Sequence, residues 1–118
     1  MNIKIIMLVF FALVIGSVLY ALPIPCSADY DGDGIVDPAV YHSSQGYWEV
    51  LNSRFQYHRT VRYGLVNAIP VVGDFDGDGL ADYACMIPET GEWLILLSSN
   101  MYRPISFTFG DEREYLGN

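Results

Sequence analysis

A chain of 118 residues has room for one small domain, and at 52% apolar and 14% aromatic it can pack a core. Its net charge of −8, without a basic cluster, repels phosphate and excludes nucleic acid as a natural partner. Of the 14 acidic residues, eight fall in two nonapeptides, leaving six against the six basic residues. The acidity is therefore local, unlike that of a solvating acidic chain.

Residues 1–28 differ in kind from the rest. Lys4 is followed by an apolar run from Ile5 to about Leu22, with small residues at Ala21 and Ala28. This is the pattern of a secretory signal peptide, or of a hydrophobic helix retained as a membrane anchor, since the run approaches the ~20 residues that span a bilayer. Either way the remainder is expected outside the cytoplasm: secreted, periplasmic or on the cell surface. Contact with a membrane is expected only if the segment stays uncleaved. Export permits a disulfide between Cys26 and Cys85, but cleavage after Ala28 would remove one partner.

The next stretch, DYDGDGIVD (Asp29–Asp37), reads as an acidic loop. It is followed by a short apolar strand, the turn SSQG, a strand YWEVLNS and a further strand within FQYHRTVRYG. Forty-five residues on, the chain repeats itself: DFDGDGLAD (Asp74–Asp82), YACMI, the turn PETG, EWLILLS and MYRPISFTFG. Gly46 falls on Gly91, Trp48 on Trp93, Leu51 on Leu96 and Ser53 on Ser98. Beyond residue 28 no stretch carries a 3.6-residue apolar period, so the expected class is all-β. A period near 45 with about four short strands and a recurring Trp suggests two tandem four-stranded blades of a β-propeller, at about 29–73 and 74–118. Both Trp residues are expected in the blade core. Two units fall short of the four to eight that close a propeller. The chain is then either part of a longer propeller or one of several copies that self-associate.

Counted from its first residue, each nonapeptide places Asp at positions 1, 3, 5 and 9, Gly at 6, and a backbone carbonyl at 7. The candidate ligands are Asp29, Asp31, Asp33, Ile35 and Asp37 in one loop, and Asp74, Asp76, Asp78, Leu80 and Asp82 in the other. Carboxylates so crowded repel unless a cation sits between them. All-oxygen ligation from alternate residues of a tight loop suits Ca²⁺, giving two sites per chain. An EF-hand would need Glu at position 12 and a following helix; Val40 and Cys85 stand there instead, each followed by strand. His42 and His58 are isolated in sequence and read as ordinary strand residues. Lying 45 residues apart on different blades, the two loops are expected to bind independently.

The stretch PVVGDFDGDGLADYACMIPETGEWLILLSS resembles an FG-GAP/VCBS-type repeat, the blade unit of integrin-α-like propellers and of many exported bacterial proteins. Tyr63–Gly64 and Phe109–Gly110 stand where that family places its FG pair, and the likeness covers about residues 28–110. The resemblance implies Ca²⁺ held structurally between strands of a blade. It also implies a non-catalytic module for adhesion, or for protein or carbohydrate binding, with Tyr47 or Trp48 available to stack on a ligand if exposed. Two other outcomes fit the residues: a piece of a propeller-bearing polysaccharide-degrading enzyme, or a truncated repeat with a purely structural role. Outside the loops the acidic residues show no pairing suited to glycoside chemistry, and no nucleophile elbow is present.

Overall fold

A computed structural model describes residues 22–54 and 56–110. Eight strands form two four-stranded antiparallel sheets, with no α-helix among the described residues. The expected N-terminal hydrophobic helix falls on residues 1–21, outside the described part; among the described residues no helix is long and apolar enough to cross a membrane.

The first sheet runs β1 (Ile24–Pro25), β2 (Ala39–His42), β3 (Tyr47–Asn52) and β4 (Tyr57–Val61), each strand beside the next. The second repeats the order with β5 (Ile69–Pro70), β6 (Tyr83–Ile87), β7 (Glu92–Leu97) and β8 (Arg103–Thr108). Each acidic loop joins the first two strands of its sheet. The turns SSQG and PETG close the central hairpins as their composition predicts: Gly46 N–H donates to the His42 carbonyl (2.7 Å) and Gly91 N–H to that of Ile87 (2.8 Å). Gly46 has φ +75° and Gly91 φ +70°, where a side chain would be strained. The opening strands were not anticipated. Ile24–Pro25 and Ile69–Pro70 are the same dipeptide at the same offset of 45, so the first sheet begins upstream of residue 29. Residues so few show no alternation, and only the repeat could have revealed them.

The core lies between the sheets. Tyr41, Trp48 and Val50 from the first pack with Tyr83, Cys85 and Leu96 from the second. Trp48 lies 5.5 Å from Tyr83 and Tyr30 stacks on the same ring at 4.9 Å. Aromatic contacts of this kind add to plain area burial. The Tyr41 hydroxyl donates to the Leu65 carbonyl and Ser43 Oγ to that of Ala68 (2.6 Å), binding the linker between the sheets to the first turn. Arg59 lies over the rings of Tyr83 (5.7 Å) and Tyr102 (5.0 Å), covering one side of the junction. Cys26 and Cys85 are both buried free thiols, and burial pushes the Cys26 thiol up to about 11.

Repeat equivalence does not extend to the two Trp residues. Trp48 is buried between the sheets, whereas Trp93, expected in the core, is only partly buried. Register explains the difference. Leu94 and Leu96 face the first sheet, so Trp93, one step out of phase on β7, lies on the outer face of the second.

Candidate metal centre

Turn chemistry folds each nonapeptide onto its own first aspartate. Asp29 accepts the N–H groups of Gly32 (2.7 Å) and Gly34 (2.8 Å); Asp74 accepts those of Gly77 (2.8 Å) and Gly79 (2.9 Å). The four glycines have φ between +73° and +90°. A Cβ at Gly34, Gly77 or Gly79 would meet nothing within 4 Å, so these three positions are constrained by backbone conformation and not by space. The aspartate at position 5 of each loop caps the next turn: Asp33 accepts Ile35 N–H (2.9 Å) and Asp78 accepts Leu80 N–H (3.0 Å).

The last aspartate of each loop anchors it to the sheet. Asp37 is fully buried and accepts N–H groups from Tyr30 (2.7 Å), Asp31 (3.2 Å) and Ser53 (2.8 Å). Asp82 accepts the matching groups of Phe75 (2.6 Å) and Ser98 (2.8 Å). Burial alone would raise the Asp37 carboxyl, but the donors from Ser53, Tyr30 and Asp31 outweigh it and hold the group below the usual carboxylate range. Hydrogen bonds from Ser99 hold Asp76 well below that range too.

Residues at the end of the third strand of each sheet complete the clamp. Arg54 N–H donates to Asp31 (2.9 Å) and Ser99 N–H to Asp76 (3.0 Å). The Ser53 hydroxyl donates to Asp33 (3.1 Å), and Ser98 Oγ donates to Asp78 (2.5 Å) and lies 2.9 Å from Asp82. The match of Ser53 with Ser98 was visible in the repeat, but their role as carboxylate donors needed the fold.

The arrangement brings oxygens of Asp74, Asp76, Asp78 and Asp82 within 4.8 Å of one another, and likewise those of Asp29, Asp31 and Asp37. These clusters could hold a metal ion. Asp33 lies in its loop, bonded to Ser53, but outside the cluster around Asp31. Ile35 and Leu80 sit in the same loops as N–H donors, Ile35 with its side chain exposed. The donor set fits a hard cation: the clustered atoms are carboxylate oxygens, and an oxygen that accepts one N–H keeps a second lone pair.

The loops are also neighbours. Ala81 N–H donates to the Asp29 carbonyl (2.7 Å), and a Cβ built on Gly32 would come within 3.0 Å of the Leu80 side chain. Distance along the chain does not separate them.

A second polar group was missed by sequence. His42 on β2, Glu49 on β3 and His58 on β4 share one face of the first sheet, with His42 Nε2 2.9 Å and His58 Nε2 3.4 Å from the Glu49 carboxylate. The two imidazoles are therefore not isolated, and they hold the Glu49 carboxyl below its ordinary range, His42 contributing most.

Compared with protein-family models, curated proteins and solved structures, the chain matches none of them.

Proposed function

We propose that the chain is an exported, non-catalytic Ca²⁺-binding module of the FG-GAP/VCBS type, its two sheets serving as β-propeller blades. One observation carries the reading. Two loops 45 residues apart direct four aspartates each onto nearly the same set of backbone donors, and both gather carboxylates at one point. A plain Asp-Gly turn uses one or two such side chains and has no reason to concentrate the others. Each loop binds one Ca²⁺ through Asp29, Asp31 and Asp37, joined by Asp33 if it turns inward from Ser53, or through Asp74, Asp76, Asp78 and Asp82, with the carbonyls of Ile35 and Leu80 adding oxygens. The ion offsets two of the loop's four negative charges and fixes it against the sheet edge. Glu49, engaged by two imidazoles, suits a binding module better than glycosidase chemistry, which pairs two carboxylates across a sugar. The partner in this reading is an extracellular protein or carbohydrate, and the role adhesion or capture.

Calorimetric titration of the full chain with Ca²⁺ and, separately, Mg²⁺ tests the metal assignment. Two Ca²⁺ per chain are expected, with dissociation constants of roughly 10⁻⁴–10⁻³ M, the range of extracellular modules. No Ca²⁺ heat at millimolar ion, or tighter binding of Mg²⁺, rejects it.

A further inference from the structure

Each loop contains two Asp–Gly bonds: Asp31–Gly32 and Asp33–Gly34 in the first, Asp76–Gly77 and Asp78–Gly79 in the second. Such a bond carries a latent reaction. The glycine nitrogen can attack the carboxyl carbon of the aspartate side chain, and a glycine has no Cβ to crowd the ring that closes. A C–N bond forms, one water leaves, and the product is a cyclic imide. Water then reopens the imide at either carbonyl. One opening restores aspartate; the other gives isoaspartate, whose main chain runs through the side chain and is one atom longer. Mass is unchanged at the end, and neither oxidant nor cofactor takes part.

The fold brings the reactants together. Oδ1 of Asp31, Asp33, Asp76 and Asp78 each accepts the N–H two residues on, at 2.9–3.3 Å. Every one of these carboxyls is therefore folded over the peptide that would attack it, and such positioning favours ring closure. The attacking nitrogens, however, are all engaged. Gly32 and Gly34 donate to Oδ1 and Oδ2 of Asp29, and Gly77 and Gly79 to Oδ1 and Oδ2 of Asp74. A peptide nitrogen becomes a nucleophile only as it sheds its proton. Beside the carboxylate of Asp29 or Asp74, that step sets negative charge against negative charge.

We propose that Asp29 and Asp74 are guards, each shielding two Asp–Gly bonds from imide formation, and that a loop which opens becomes a site of backbone isomerisation. Isoaspartate displaces the carboxylate and lengthens the turn, so a modified loop does not regain its hydrogen bonds. Local opening, the least costly excursion of an exposed loop, is thereby recorded in the covalent chain. The inference concerns this covalent chemistry and not the metal, so it and the Ca²⁺ titration fail separately.

Ageing the full chain at neutral pH in heavy-oxygen water with EDTA, folded and in urea, tests it. Peptide mass spectrometry counts the oxygen that each passage through the imide incorporates. Folded wild type is expected to label all four bonds several-fold more slowly than the urea-unfolded chain. Asp74→Asn keeps one acceptor oxygen and turns an amide N–H toward the other glycine. It is expected to label one bond of the second loop several-fold faster, with a smaller effect on the first loop; Asp29→Asn should do the reverse. If a variant loses its cooperative melt, the comparison of folded with unfolded wild type decides alone. Equal labelling of folded and unfolded wild type overturns the inference. So do folded Asn variants that label like wild type, or that speed both loops equally.

Discussion

Asp37 is the residue whose removal separates structural anchoring from metal binding. Its carboxylate has no exposure and accepts two short N–H bonds, from Tyr30 (2.7 Å) and Ser53 (2.8 Å), and a longer one from Asp31 (3.2 Å). Hydrogen bonds to a charged acceptor contribute about 1.5–3 kcal/mol each, so Asp37→Ala, counting only the short pair, should cost about 3–6 kcal/mol. That is a large share of the ~5–15 kcal/mol that holds a domain together. The pH dependence has a defined sign. A folded-state value below the unfolded one, about 3.9, means the stabilisation is fully present above pH 4 and is lost as pH falls through the folded value. Asp37→Asn, which cannot titrate, should flatten that acid limb. The assay is urea unfolding of wild type, Asp37→Ala and Asp37→Asn between pH 3 and 7, each with Ca²⁺ and with EDTA. If Asp37→Ala equals wild type once metal is chelated, its role is ligation alone and the anchoring argument is wrong.

Trp48→Ala should destabilise by about 3–5 kcal/mol as a buried aromatic truncation, and Trp93→Ala by clearly less, because Trp93 lies on the outer face; equal losses in thermal melts would contradict the register of β7. Saturating Ca²⁺ should raise the melting temperature, with about 2.7 kcal/mol gained at a hundredfold excess over the dissociation constant, and an EDTA-insensitive melt would refute the linkage. Asp76→Ala should remove one site and also weaken the other, since Ala81 and Leu80 of the second loop touch Asp29 and Gly32 of the first; calorimetry showing an unchanged remaining site would mean that this contact transmits nothing. If the N-terminal segment is cleaved on export, the mature chain should start near Leu22 and not at Asp29, because β1 at Ile24–Pro25 and the buried Cys26 belong to the first sheet; mass spectrometry of the exported chain decides.

The all-β class, the hairpin turns and the acidic loops were legible because each is governed by local chemistry. Asp and Gly at fixed offsets dictate turn geometry, and aromatic and β-branched runs dictate strands. What escaped depends on register. His42, Glu49 and His58 lie on three strands in a diagonal across the sheet, a proximity that exists only after β2, β3 and β4 align. Asp33 escaped for a related reason. Its loop position matches that of Asp78 and each is bonded to the serine at its strand end, yet only Asp78 joins its carboxylate cluster, a difference in side-chain placement that the repeat does not encode. The contrast between Trp48 and Trp93 was hidden because a repeat fixes which face a residue takes, while its burial depends on what packs against that face.

The same logic links the loops to the stack. Each loop is bound at its far end to the third strand of its own sheet, through Ser53 and Arg54 or Ser98 and Ser99, and the two loops are bound to each other through Ala81 and Asp29. Carboxylate repulsion within one loop therefore acts on the junction between sheets, close to where Tyr30, the residue after Asp29, stacks on Tyr83. Under the proposed metal binding, a cation that relieves the repulsion would strengthen that junction along with the loop, so chelation is expected to loosen both.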